Sequence, residues 1–368
     1  MATGVGMERV VIIGAGVMGC ACAHRLAEAG FEVTLLEKSL PGAESSAAAA
    51  GILGAQSEVS GPGPFFEMCL ASRQRFRDYA RELTELTGVS IGYEQAGVLE
   101  VALDPAEGRL AAARAEWMIE RGLNLTLLDR EEARQLEPAL TERMVGASFF
   151  PDDHWVDPMA LSAALASAAA RLGACFRAGE RVRALRVEGE RVTGVITDGG
   201  VIDAEGVVVA SGAWSSEIVG LPGLRTTIRP VAGQIIQLES RPPRFRHVIY
   251  GFKGYVVPRA DGRVVMGSTL EDRGFDKAVT LGGLHRVAGM AIEMVPGLAN
   301  ARYSASWSGL RPATADGLPL LGATRLKGLF IAAGHYRNGI LLTPITAEVI
   351  RDLLLGRAPT VEIGPFAP

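Results

Sequence analysis

The strongest constraint on this chain lies near its start. A β-branched apolar run over 9–13 meets Gly14-Ala15-Gly16-Val17-Met18-Gly19, and a helically periodic stretch over 17–29 then closes at Gly30. A second apolar run over 32–36 stops at Glu37. The three glycines divide the labour. The first permits a tight turn, the second lets backbone approach a pyrophosphate, and the third lets helix and strand pack closely. The helix start adds free amides and the positive end of a dipole. Glu37, 23 residues beyond Gly14, can accept both hydroxyls of a ribose and disfavours a 2′-phosphate. Strand, helix and strand within about 30 residues predict a right-handed crossover and a parallel sheet.

Periodicity predicts further helices over 64–87, 105–121, 158–172, 281–294 and 343–355. Strands are expected over 98–103, 183–187, 192–197, 201–203, 207–210, 234–238, 255–258, 264–268 and 329–332. Parallel-sheet elements fall at the start, middle and end, with antiparallel material between. The expected class is α/β, a Rossmann-like cofactor domain beside an α+β substrate domain on a mainly antiparallel sheet. The cofactor domain is assigned 1–62, 144–228 and 306–368, and the substrate domain 63–143 and 229–305.

Composition removes several alternatives. The net charge is −4, from 37 Lys and Arg against 41 Asp and Glu, and no basic tail offers a nucleic-acid footprint. Cys20, Cys22, Cys69 and Cys175 are too few and too scattered for a disulfide scaffold and lack zinc-site spacing. They read as free thiols. His154 beside Asp152 and Asp153 reads as a solvated turn, so no metal is expected. Residues 1–9 lack the apolar core of a signal peptide, and no apolar run reaches the roughly 18 residues of a membrane span. The expected location is the cytoplasm.

The first glycine motif alone suits either a nicotinamide or a flavin dinucleotide. The chain end favours the flavin. Leu329-Phe-Ile-Ala-Ala-Gly334-His335-Tyr336-Arg337-Asn338-Gly339 is again a buried strand, a glycine turn and a helix start. A second helix N-terminus would stabilise negative charge on a reduced ring system. Val207-Val-Val-Ala-Ser211-Gly212 offers a third close backbone approach, although an ordinary strand-end turn would look the same.

On these motifs the chain resembles the D-amino-acid oxidase superfamily of FAD-dependent oxidoreductases and, within it, the bacterial glycine oxidases of the thiamine-biosynthesis type. The resemblance also rests on Ser45-Ser46-Ala-Ala-Ala49-Ala50-Gly51-Ile52-Leu-Gly-Ala-Gln56, on Tyr255-Val-Val-Pro-Arg259 and on Gly309-Leu-Arg311-Pro-Ala-Thr-Ala-Asp316-Gly. It extends through His335-Tyr336-Arg337-Asn338-Gly339-Ile340-Leu341. It implies non-covalent FAD. Gly14, Gly16, Glu37, Lys38, Ser45 and Ser46 would meet its ADP half, with Ala15, Val17, Met18 and Gly19 completing the turn. Ala49, Ala50, Gly51 and Ile52 would line the flavin, and the backbone of Val182 would meet the adenine side. Ser211, Gly212, Gly334, His335 and Tyr336 would approach the cofactor, and Arg337 to Leu341 would wrap the flavin edge. Arg311 matches the arginine that binds the substrate carboxylate, Tyr255 a tyrosine beside it, and Arg337 a second arginine. Two positions depart from the family: Lys253 replaces a histidine before the tyrosine, and Leu270 a methionine. The lysine would admit a more anionic substrate.

The implied reaction passes a hydride from Cα to flavin while the amine lone pair stabilises the imine. Water then gives an oxo acid and ammonia, and oxygen is reduced to hydrogen peroxide. From the residues alone, Arg311 suits a carboxylate anchor or a structural ion pair. His335 reads as an orienting group rather than a base. Glycine, sarcosine and small D-amino acids are the expected substrates. Two alternatives remain: a dehydrogenase that reduces a quinone or partner protein, and a non-catalytic FAD-binding assembly protein. The family resemblance implies a homotetramer.

Overall fold

The computed structural model describes residues 8–218, 220–240 and 245–368. The signal-peptide reading over residues 1–7 lies outside the described residues. The first half of the chain runs β1 (Arg9–Ile13), α1 (Val17–Glu28), β2 (Glu32–Glu37), β3 (Ile52–Leu53), α2 (Pro64–Thr87), β4 (Val98–Ala102), α3 (Pro105–Glu120), β5 (Thr126–Leu128), α4 (Arg130–Leu136), β6 (Gly146–Phe150), β7 (His154–Trp155) and α5 (Pro158–Arg171). The second half runs β8 (Cys175–Ala178), β9 (Val182–Glu188), β10 (Arg191–Thr197), β11 (Gly200–Asp203), β12 (Gly206–Val209), β13 (Arg229–Glu239), β14 (Val248–Gly251), β15 (Gly254–Pro258), β16 (Arg263–Gly267), α6 (Leu281–Met294), β17 (Arg302–Ala313), β18 (Leu320–Ala323), β19 (Leu329–Ala333) and α7 (Thr343–Leu354).

Helix ends follow local chemistry. Asp104 accepts from the amides of Ala106 and Glu107 to start α3, and Asp157 does the same for Met159 and Ala160 of α5. Helix α2 opens on Pro64 and stops at Gly88, whose φ of 76° is the left-handed cap that glycine adopts without penalty.

Two large sheets organise the molecule. The first has the order β18-β19-β12-β1-β2-β8, parallel except for β18. Helix α1 buries ten of its twelve residues beneath α5 and α7, which makes it a core helix rather than a surface one. The β9–β11 meander covers the other face through Val182, Leu185, Val192 and Val195. The second sheet has the order β17-β13-β16-β15-β14-β4-β6-β5, antiparallel apart from the β4–β14 pair. Helix α6 packs on one side of it through Val287, Ala291 and Met294. The opposite side carries Tyr250 and Tyr255 toward Ala50 and Ile52.

The α/β class holds, and the expected segment boundaries shift at three elements. Strand β6, assigned to the cofactor segment 144–228, pairs antiparallel with β4 in the second sheet. Helix α2, assigned to the substrate segment 63–143, packs instead on α5 and α7, where Phe66, Phe76 and Leu83 join the core around α1. Strand β17 runs unbroken across the expected cut at 306, because it pairs with β13 from Arg302 to Ala313.

Candidate active site

A cavity of about 450 Å³ opens between the two sheets, lined from the β1–α1 turn, β2, β9, β13, β15 and β17 and the turn before α7. At one end Gly14 has φ of 99°, and a Cβ there would sit 2.8 Å from the Ala210 carbonyl oxygen. A Cβ on Gly19 would fall 1.8 Å from the Gly14 oxygen, so α1 can rest on the turn only as glycine. Gly16 gives α1 no side-chain cap, and Ser46 Oγ takes that place by accepting the Val17 amide at 2.9 Å. Glu37 is locked at the end of β2: Oε2 accepts the Ala15 amide at 2.9 Å, and Oε1 accepts the Ser39 amide at 2.9 Å. Ser45 Oγ donates to the Leu310 carbonyl at 2.5 Å, which ties this segment to β17. Lys38 Nζ stands 3.3 Å from the centroid of the Trp214 ring, a close cation–π contact at the cavity wall.

Ala49, Ala50, Gly51 and Ile52 form a wall farther along. Gly51 has φ of 83°, and a Cβ would lie 2.1 Å from the Val156 oxygen. Buried Arg259 clamps this wall by donating to the Ala50 oxygen at 2.5 Å and the Val156 oxygen at 2.7 Å. Opposite it, Tyr336 adopts a positive φ of 47° and donates its amide to the Pro312 oxygen at 3.0 Å. Such strain in a non-glycine residue concentrates at ligand sites. The Gly339 and Ile340 amides, in the turn that leads into α7, donate to no group among the described residues.

Three candidate substrate residues meet here. Half-buried Arg311 donates to Ser268 Oγ, and to the Thr269 oxygen at 3.4 Å. It forms no ion pair among the described residues, which disposes of the structural salt-bridge reading. Its space is built into the sheet: a Cβ on Gly233, on the neighbouring strand β13, would strike Arg311 Nη1 at 2.2 Å. Tyr255 is buried on β15, lines the cavity and stacks on Tyr250 at 6.4 Å. Arg337 also lines the cavity, but it is paired: Nη2 lies 3.2 Å from Glu58 Oε1 and donates to the Tyr250 hydroxyl.

Residues 9–353 match the family described as FAD dependent oxidoreductase. The chain belongs to that family. It is 37% identical to glycine oxidase of Geobacillus kaustophilus, over 97% of this chain and 96% of that protein. The crystal structure of that oxidase superposes with a TM-score of 0.95, covering 98% of both chains. The chain is also 36% identical to the bifunctional protein ThiO/ThiG of Synechocystis, of which it spans 53% of the length. Iminodiacetate oxidase from Chelativorans superposes with a TM-score of 0.90 at 29% identity, over 98% of this chain and 99% of that one.

As an FAD-dependent oxidoreductase, the chain takes FAD, and its donors suit that molecule. A fixed carboxylate and the α1 start line the cavity together with the turn ahead of α7, whose Gly339 and Ile340 amides donate to no group among the described residues. Most residues expected at the cofactor line the cavity, including Gly14, Gly16, Val17, Met18, Lys38, Val182, Ser211, Gly212 and His335. Ala15, Gly19, Gly334, Asn338 and Leu341 stand behind the lining and shape it. Leu341 is fully buried in the core, and Gly334 holds a φ of 78° against Thr314. None of the four cysteines lines the cavity.

Two expectations are corrected. Lys253 is exposed and does not line the cavity, because it lies in the turn beyond Gly251 and Gly254, the last paired residues of the β14–β15 hairpin. Leu270 is 56% exposed beyond β16 and likewise stands off the cavity. Glu58 and Trp214 line it without having been singled out as site residues. Glu58 follows a run of small residues that carries no signal for a buried acid. Trp214 follows a glycine turn, and its ring reads from sequence as a packing residue.

His335 is buried and contacts Thr346 Oγ1 through Nε2 at 3.0 Å. Burial pushes its pKa down from 6.5 to about 3, so the ring is neutral. A folded pKa below the unfolded one gives stability that is complete above pH 6.5 and lost as pH falls toward 3. The melting temperature of the wild type should therefore decline over that interval. The decline should be shallower in His335→Asn, and equal slopes would reject this origin.

Proposed function

We propose that the protein oxidises small amino acids bearing one carboxylate, glycine foremost, to the oxo acid and ammonia, with oxygen reduced to hydrogen peroxide. The observation that supports this reading is Arg311: a guanidinium without a carboxylate partner among the described residues, in the cavity that the proposed flavin-lining segments also face. Its planar fork matches a carboxylate with two parallel hydrogen bonds. The Tyr255 hydroxyl donates to the same carboxylate. FAD, when bound, accepts the hydride that leaves Cα. The chain's work is to hold the substrate in line and to exclude water; such positioning is worth up to roughly 7–11 kcal/mol in well-oriented systems. His335, neutral and committed to Thr346, takes no proton from the amine.

The cofactor roles proposed are Glu37 on the ribose, the α1 start with Ser46 at the pyrophosphate, Val182 beside adenine, and residues 49–52 with 336–340 around the ring. The first sheet with its helices forms the cofactor domain and the second sheet the substrate domain. The family resemblance supports a place in thiamine biosynthesis and a cytoplasmic homotetramer. No helix among the described residues is long and apolar enough to cross a membrane.

The test is anaerobic titration of the purified yellow protein. Glycine, sarcosine or D-alanine should bleach the flavin under nitrogen, and air should restore it with hydrogen peroxide formed. A flavin that no amino acid bleaches would overturn the reading. Bleaching followed by reoxidation only through a quinone or dye would replace the oxidase with a dehydrogenase.

A further inference from the structure

The substrate end of the cavity holds two guanidinium groups but only one available positive charge. Arg311 has no acidic partner among the described residues. Arg337 has one: Glu58, whose side chain is 6% exposed and lines the same cavity. Glu58 Oε1 lies 3.2 Å from Arg337 Nη2 and accepts the Tyr250 hydroxyl at 3.1 Å. Tyr250 in turn stacks on Tyr255, so the pair is built into the wall beside the proposed carboxylate site. Burial holds the Glu58 carboxyl above its ordinary value, and the Arg337 guanidinium and Tyr250 hydroxyl offset part of that rise. The other charged residues of the lining lie on or next to β2 and β9 and in the 44–46 and 212–217 segments, toward the proposed ribose end.

A buried pair of this kind costs desolvation at both partners and is weak grounds for a purely stabilising role. Its effect on the cavity is definite. Two arginines and one glutamate sum to a single positive charge, which balances one substrate carboxylate. A second carboxylate on the substrate would find Arg337 taken and a buried anion beside it, and like charge in a desolvated site discriminates strongly.

We propose that Glu58 is the determinant of substrate charge class: by occupying Arg337, it confines the enzyme to amines with one carboxylate and rejects those with two. This rests on the amino-acid oxidase reading above. Glu58 acts through Arg337 and is a positioning residue. Replacing it with a neutral isostere should free the guanidinium for a second carboxylate.

The experiment uses the FAD-loaded enzyme with glycine and with iminodiacetate, which is glycine carrying a second carboxymethyl group on nitrogen. The readout is kcat/KM for each and its split into kcat and KM. In Glu58→Gln the ratio of iminodiacetate to glycine should rise at least tenfold, about 1.4 kcal/mol, mainly through a lower KM for iminodiacetate. Glu58→Asp, which keeps the charge, should restore a ratio near the wild type. The double variant Glu58→Gln/Arg337→Gln should lose the gain. A ratio that stays constant while both substrates weaken together would overturn the proposal and leave the oxidase reading intact. Wild-type flavin that no amino acid reduces would remove that reading itself. If Glu58→Gln does not retain FAD, Arg337→Gln decides. The unpaired Glu58 should then depress iminodiacetate turnover at least tenfold more than glycine turnover, and equal losses would refute the proposal.

Discussion

Arg311→Ala should raise the KM for glycine by roughly two to three orders of magnitude while FAD stays bound. Hydrogen bonds to a charged group are worth about 1.5–3 kcal/mol each, and each 1.4 kcal/mol is tenfold. Two parallel bonds to a carboxylate, reduced by the water that replaces them, give that range. FAD should remain because, among the described residues, Arg311 holds only Ser268 and the Thr269 carbonyl, and neither belongs to the segments proposed to line the cofactor. Arg311→Lys should fall between the two, since an ammonium keeps the charge but not the fork. Steady-state kinetics with flavin absorbance on the same samples make the measurement. Unchanged glycine kinetics would remove Arg311 from the anchor position.

Arg259→Ala should lower stability by about 2–6 kcal/mol and release FAD, from two buried carbonyls that lose their donors at about 1–3 kcal/mol each. Arg259 is 7% exposed, and its two Nη groups donate to the carbonyls of Ala50 and Val156. Without it those oxygens lose their partners, a cost of about 1–3 kcal/mol each, and a cavity opens behind them. The first segment to loosen would be the 49–52 wall proposed to face the ring. Thermal melts and the flavin retained after gel filtration check both parts. A variant that melts with the wild type and stays yellow would show the clamp to be dispensable.

The first crossover was legible almost residue by residue. Periodicity placed a strand over 9–13 and a helix from Val17, and the structure has β1 at Arg9–Ile13 and α1 at Val17–Glu28. Helix α2 was equally clear, because its apolar stripe runs between a proline and a glycine that act as punctuation. Strand β17 was not legible. Its sequence, Arg-Tyr-Ser-Ala-Ser-Trp-Ser-Gly-Leu-Arg-Pro-Ala, has no β-branched residue and reads as a loop. It is extended because β13 supplies a partner along its whole length, a long-range cause that no local propensity reports. The site divides in the same way. Glycine turns announce close backbone approaches through rules that hold in any context. Lys253 failed because its place in a motif says nothing about which way a hairpin turn faces. Glu58 was invisible because its partners, Arg337 and Tyr250, are far away in sequence.

The central strands β1, β12 and β19 lie side by side although they come from opposite ends and the middle of the chain. A ribosome delivers β1 first of the three, β12 about 190 residues later and β19 about 120 residues after that. The nascent protein therefore has no complete flavin trough until α7 clears the exit tunnel, and vitamin-derived ligand can stabilise only molecules that have reached that point. Shortage of that vitamin would accordingly lower the abundance of full-length product after synthesis without slowing translation.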